Sequence, residues 1–500
     1  MAGVVTAGCS SKTQRAYVEG QTAQSLFDAG NLPAALNAIN RALALRDDQI
    51  DLILLSGRIR YRMGDYSGAF DAYNMALAID PMNPEALQAV SQIGASIGHD
   101  AESASATDRI LSVEPNNASA LLIKGVGMLN HHDYAGAEAI GDKMLKADAQ
   151  SEPGVVLKAR AMFLSDRQAD ALALLRDALK RLGPKQMIVT ALLECARDQG
   201  DSALMLDQFR ALGEIVPDNV DLTIDEANLD YKLGHVDDAR KRGAALLAKH
   251  GDDLDAVARL ANLWTEYDAT PLDRGQIDDL ASNGPPAARL AVARFLLGKG
   301  DTTSAAALIG SLPGGEATGM RARIAYAENG DTGPAEKVLT TDQSNCDALS
   351  VRAIDALKQQ DPTKSVIAAQ EVASQCPERD GFDLLANAYR AKGNAVAVRQ
   401  AYLDASRARP LDTVRVDHFA AWLIESGDRQ EAVNVARRLT QRAPAKISAW
   451  QLLGKVCTKV GDKACIDEAR AGEAAARRNF AMDLPPGQRR PNPLLGSSWR

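Results

Sequence analysis

The chain has 500 residues, a formal net charge of −8, 24% charged and 4% aromatic residues. A protein built to grip phosphate backbones concentrates Lys and Arg on one face. Here they alternate with Asp and Glu along presumptive helices, the pattern of solvated helix faces, so nucleic acid is not expected as a partner. Alanine and leucine are abundant and runs of Val, Ile and Tyr scarce, which predicts helices that approach closely through small side chains.

The chain opens Met1-Ala-Gly-Val-Val-Thr6-Ala7-Gly8-Cys9-Ser-Ser-Lys12. Small residues, then a cysteine, then a polar stretch resemble the end of a bacterial lipoprotein signal. That resemblance implies that the Cys9 thiol is lipidated and anchors the protein. Thr6 stands where leucine is usual, and eight residues are short for a charged region plus an apolar one. A start codon assigned too late accounts for the length; the competing reading is an ordinary terminus with a free thiol. No stretch of the chain approaches the roughly 20 apolar residues that span a bilayer.

From residue 16 onward, turn signals recur. Gly30-Asn31, Gly64-Asp65, Gly98-His99, His132-Asp133, Asp166-Arg167, Gly200-Asp201 and Gly234-His235 keep a constant spacing of about 34 residues. The next slot, at Asp268, is looser. The pattern returns at Gly300-Asp301, Gly330-Asp331, Gln360-Asp361, Gly393-Asn394, Gly427-Asp428 and Gly461-Asp462. A small residue precedes most turns by seven positions (Ala23, Gly57, Ser91, Gly125, Ala159, Ala227) and another follows by five (Ala35, Ala69, Ser103, Ala137, Ala171, Ala239). Two antiparallel helices joined by a short turn meet only where neither carries bulk, so these pairs predict the seam of a hairpin. Glycine at the turn supplies the left-handed conformation that ends the first helix. Pro81, Pro115, Pro217, Pro377, Pro410 and Pro444 close second helices.

The segment Gly57-Arg-Ile-Arg-Tyr-Arg-Met-Gly64-Asp-Tyr66-Ser-Gly-Ala69-Phe-Asp-Ala-Tyr73-Asn-Met-Ala76-Leu-Ala-Ile-Asp-Pro81 resembles a tetratricopeptide repeat at nearly every signature position. The resemblance implies an all-α fold, a right-handed α–α superhelical solenoid of about 14 helix-turn-helix units. Five segments follow: 1–15, a truncated lipoprotein-type signal or anchor; 16–251, an N-terminal repeat block; 252–378, degenerate units of 30 to 33 residues with extra Gly and Pro; 379–478, a C-terminal block; and 479–500, a proline-rich extended tail ending near Trp499. Repeat stability comes from stacking on neighbours, so 268–345 is expected to be the weakest stack, a hinge between better-formed blocks.

Six cysteines are present. Cys457 and Cys465 lie four residues either side of Gly461, which puts them at one height on facing helices. Cys346 and Cys376 lie symmetrically about Asp361 at the open end of another hairpin. Both pairs are candidate disulfides, which would mean an oxidising compartment such as a periplasm. Buried reduced cysteines acting as small apolar residues are the alternative.

No motif for catalysis emerges. The chain lacks a phosphate-binding Gly-x-x-x-x-Gly-Lys loop, a Cys-x-x-Cys, a His-Glu-x-x-His and a Gly-x-Ser-x-Gly elbow. Gly314-Gly315-Glu-Ala-Thr-Gly319 lacks the lysine and reads as an inter-helix loop, and His131-His132 occupies a turn. No enzyme activity, metal or cofactor is expected. In tetratricopeptide arrays the first helices line a concave face, and peptide-gripping positions include the residue six before the turn glycine. Carried over, these are Arg58, Gln92, Arg160, Glu194, Asn228, Asn262, Arg294, Asn387 and Lys455. Amides both donate and accept, which suits an extended peptide backbone; a solvated groove wall is the plain alternative. The expected function is a non-enzymatic protein–protein interaction scaffold of the bacterial envelope, periplasmic and lipid-anchored to the outer membrane. Its partners would be proteins or extended peptides of an assembly serving exopolysaccharide export, pilus assembly or protein sorting. Competing readings are a cytoplasmic adaptor and a repeat region that positions substrates for a transferase.

Overall fold

The structure, a computed structural model, describes residues 11–377, 379 and 381–478. Among them are 28 α-helices and no strand. None of these helices is long and apolar enough to cross a membrane. The chain divides into two units, with the boundary between Cys195 and Ala196, inside a helix.

Unit 1 runs through α1 (Lys12–Asp28), α2 (Leu32–Leu45), α3 (Ile50–Arg62), α4 (Tyr66–Ile79), α5 (Pro84–Ile97), α6 (Asp100–Val113), α7 (Ala118–Asn130), α8 (Tyr134–Ala147), α9 (Glu152–Leu164), α10 (Gln168–Leu182) and the first part of α11 (Gln186–Gln199). Unit 2 holds α12 (Ser202–Ile215), α13 (Val220–Leu233), α14 (Val236–His250), α15 (Leu254–Tyr267), α16 (Arg274–Asn283), α17 (Pro286–Gly298), α18 (Thr302–Ile309), α19 (Gly315–Asn329), α20 (Gly333–Thr341), α21 (Cys346–Lys358), α22 (Pro362–Gln375), α23 (Gly381–Ala391), α24 (Ala395–Ala408), α25 (Thr413–Glu425), α26 (Arg429–Arg442), α27 (Ile447–Val460) and α28 (Lys463–Arg478). Within each unit, odd-numbered helices are the first of a hairpin and even-numbered ones the second.

The recurring dipeptide has a mechanical explanation. Its first residue takes positive φ: Gly64 at 79°, Gly98 at 83°, Gly461 at 84°. Its second residue caps the next helix. The carboxylate of Asp65 accepts from the Gly68 N–H at 2.9 Å, and Asn31, Asp133, Asp201, Asp301 and Asn394 do the same three residues ahead. One residue ends a helix and its neighbour starts the next, which is why the signal is so compact. Glycine does not hold every slot, however. His132, Asp166 and Gln360 occupy it with φ of 61°, 61° and 57°, although each carries a Cβ that disfavours the conformation.

The slot at Asp268 is built differently. Asp268 is extended (φ −143°) and a short loop replaces the tight turn before α16. Its buried carboxylate accepts from Nε and Nη2 of Arg240 at 2.7 and 2.9 Å and from the Thr270 N–H at 3.0 Å, and the Tyr231 hydroxyl donates to it at 3.2 Å. Burial works to raise the Asp268 pKa, but these donors outweigh it and hold the carboxyl below its ordinary value.

The seams are close. Ala23, Ala35, Ala69, Ala137, Ala239, Ala293, Ala305 and Ala432 are fully buried. A Cβ on Gly57 would meet the Tyr73 ring at 2.8 Å. One seam uses hydroxyls instead of methyls: Ser103 Oγ donates to the Ser91 carbonyl at 2.7 Å, and Ser91 Oγ and Thr107 Oγ1 lie 2.7 Å apart. Second helices end one residue before the cap that precedes Pro81, Pro115, Pro217, Pro377, Pro410 and Pro444.

The irregular repeats between 252 and 378 keep their first helices. It is the second helices that shrink: α16, α18 and α20 have 10, 8 and 9 residues against 14 in α22, α24 and α26. The core nevertheless continues through them, with Tyr231, Leu246, Leu260, Trp264, Phe295, Leu308 and Met320 in one apolar cluster. Residues 1–10 with Cys9, and 479–500 with Trp499, lie outside the described residues.

Candidate functional site

Within each unit, the first helices place the residue six before each turn on a common face, because one position per repeat keeps its register when the repeats stack. Most of these positions are engaged between neighbouring repeats. Arg58 on α3 makes a two-pronged bond to Glu85 on α5, 2.6 Å at each prong, which raises its pKa. Gln92 Nε2 donates to Ser119 on α7 at 3.2 Å. Arg160 pairs with Glu194 at 3.3 Å, joining two equivalent positions one repeat apart. Arg294 pairs with Glu316 on α19, and Lys455 with Asp417 on α25 at 2.6 Å. These side chains are struts that hold one repeat on the next.

Asn228 is buried, 9% exposed, on α13, so its amide does not line an open wall. Asn262 on α15 and Asn387 on α23 are exposed. Gln92 is exposed too, but its amide nitrogen is engaged with Ser119.

Unit 2 also holds charge networks that no spacing along the chain signals. The fully buried Asp230 accepts from Arg242 Nε at 2.7 Å and Arg210 Nη2 at 3.1 Å, and Arg242 also pairs with Glu226. Burial pushes the Glu226 pKa up against the pull of Arg242. Asp347 on α21 is a second hub, with Arg323 at 3.3 Å and Arg379 at 3.2 Å. Burial lowers the Arg379 pKa even beside Asp347. Asp383 accepts from His418 Nδ1 at 3.1 Å and lies 3.4 Å from Arg415 Nε. The pairs are 12 to 35 residues apart in sequence, and only the fold brings them together.

The structure joins Cys346 to Cys376, Cα atoms 5.8 Å apart, and Cys457 to Cys465, 5.7 Å apart. The first tethers the start of α21 to the end of α22, and the second straddles the Gly461 turn. Cys195 is buried and belongs to neither disulfide. His132 Nδ1 lies 2.8 Å from the Tyr134 hydroxyl. Among the described residues no group of three or more His, Cys, Asp or Glu is arranged to hold a metal.

Residues 21–84 match the family model described as tetratricopeptide repeat. No curated protein matches the chain. Among solved structures, a tetratricopeptide repeat protein from Parabacteroides merdae is 14% identical, with 50% of this chain and 99% of that one covered and a TM-score of 0.40. PilW, a type IV pilus biogenesis factor, is 20% identical over 41% of this chain and 96% of its own, at a TM-score of 0.34. YrrB, a tetratricopeptide protein with an unusual peptide-binding site, is 17% identical over 35% and 89%, at 0.32. Residues 21–84 are thus a tetratricopeptide repeat segment, and the described residues beyond it repeat the same helical hairpin with the same glycine-plus-cap turns.

Proposed function

We propose that this protein is a non-enzymatic scaffold of the bacterial cell envelope, anchored through Cys9 and holding partner proteins along the first-helix face. The coarser part, a scaffold for protein contacts, goes with the repeat family. A face on which most polar residues are already struts leaves modest contact at each repeat and gains strength from many repeats at once. Asn262 and Asn387 are the residues we assign to backbone contacts with an extended partner segment.

The envelope assignment is carried by one observation, the two cysteine pairs at bridging distance. Disulfides persist in oxidising compartments and are rare in a reducing cytosol. The lipoprotein-like Ala7-Gly8-Cys9 supports the same place. A thiol count on protein taken from its own cells under denaturing, non-reducing conditions tests it. Cys195 should be the one reactive thiol, and Cys9→Ala should move the protein out of the membrane fraction. Five or six reactive thiols in a soluble protein would give the cytoplasmic adaptor instead. Export, pilus assembly and sorting are separated by crosslinking in envelope fractions and identifying what is joined to the face of Asn262.

A further inference from the structure

Seven helices at this point of the repeat begin with a capping side chain, whereas α3, α17 and α19 have none. Asn83, Asn117, Ser151, Asn219, Asp253, Asn345 and Asp412 each accept from an N–H of the first turn that follows. Thirty-four residues after Asp412 the same slot holds Lys446. A cation there supplies no acceptor and opposes the helix dipole. Helix α27 accordingly has no side-chain cap of its own.

The missing carboxylate comes from 182 residues away in the same unit. Glu266, near the end of α15, accepts from the Ser448 N–H at 3.0 Å and from its hydroxyl at 2.7 Å, and lies 3.1 Å from Lys446 Nζ. One repeat earlier in register, the buried Lys232 of α13 donates to the Ala445 carbonyl at 3.3 Å. At the end of α28, Ser202 Oγ of α12 donates to the carbonyls of Arg477 and Arg478 at 3.2 and 3.1 Å. Three helices of unit 2, α12, α13 and α15, therefore each hold one point of its last hairpin. Lys232 and Glu266 lie one helical turn beyond Asn228 and Asn262, on the same helix faces.

We propose that α27–α28 is a latch that closes unit 2 on itself, and that the 443–448 segment sits as an internal ligand on a peptide site formed by Lys232 and Glu266. A partner segment enters this site by offering the same chemistry: a backbone carbonyl to Lys232, and free N–H groups with an adjacent Lys to Glu266. The entry of a partner rests on the scaffold reading; the closure does not.

The full chain tests both parts. A zero-length carbodiimide joins Glu266 to Lys446 in the wild-type protein, and in a mixture of isotopically light and heavy chains the link forms within one chain. It is lost in Glu266→Gln. No link, or links only between chains, overturns the latch. Hydrogen exchange gives a second reading: Glu266→Ala speeds exchange of the Ser448 amide about tenfold or more, while α21 and α22 are unchanged. Unchanged protection at 447–449 also overturns it. Lys446→Glu sets two carboxylates against each other and opens the latch. A fluorescent peptide of residues 441–452 then binds that variant at least tenfold more tightly than wild type. Equal binding, with the wild-type link present, overturns the site while leaving the closure standing.

Discussion

At the scale of single residues, the turn slot separates what a side chain contributes from what its backbone costs. Gln360 has no glycine freedom and no short polar chain to offset a φ of 57°. Gln360→Gly should stabilise the protein by about 1 kcal/mol, read as a rise in thermal midpoint. The cap beside such a slot works in the other direction. Asp65→Ala removes the acceptor of the Gly68 N–H and should cost about 1 kcal/mol at neutral pH. The Gly68 N–H, then Arg60, hold the Asp65 pKa below its ordinary 3.8. The folded state thus favours the ionised form, so this contribution is present above that value and is lost as pH falls through the depressed one. In acid the difference between wild type and variant should close. His418 has the opposite sign. The hydrogen bond to Asp383 raises its pKa above 6.5 against the effect of burial. The folded state binds that proton more tightly, so its contribution is full below 6.5 and is lost as pH rises through the raised value. An imidazole titration by NMR should show the raised value, and His418→Gln should flatten the stability profile across that window.

At the scale of the element, the hairpin is the folding unit and its seam is the sensitive line. Gly57 faces the Tyr73 ring with no room for a methyl group. Gly57→Ala should therefore cost about 1–3 kcal/mol, because the ring must move off a well-packed position. Urea unfolding would measure it, and a neutral result would mean that α3 and α4 can separate cheaply. Hairpins were legible in the sequence because the cues are local: the left-handed residue, the cap after it, the small residue on each arm, the closing proline. The Asp268 loop was not, since its shape depends on Arg240 and Tyr231 reaching a carboxylate from another hairpin. The candidate binding positions were legible as a register and illegible as partners. A sequence places Arg58 and Asn262 at the same helical position, yet only Arg58 finds a carboxylate on the next repeat.

At the scale of the whole molecule, stacking energy should follow the length of the second helices. The short α18 and α20 offer less helix to stack than α24 or α26, and we propose that 268–345 is where the stack yields first. Amides of Thr302–Ile309 and Gly333–Thr341 should exchange about tenfold faster than those of Arg429–Arg442, and even protection across 268–345 would defeat the hinge. The continuous apolar cluster from Tyr231 to Met320 sets the limit of that weakness, because it ties the short helices to a buried Trp264.

The sequence by itself determined the repeat, its period, the seam and the turns, because each depends on neighbours within one hairpin and on conformational preferences that a residue carries with it. Tertiary structure alone decided which polar side chains became struts and where the charged hubs sit. It also decided what completes the helix that begins after Lys446. Those pairings join residues a repeat or more apart, and Lys446 shows the limit of local reading. A cation in a capping slot reads as a fault until a carboxylate from the far end of the same unit is brought beside it.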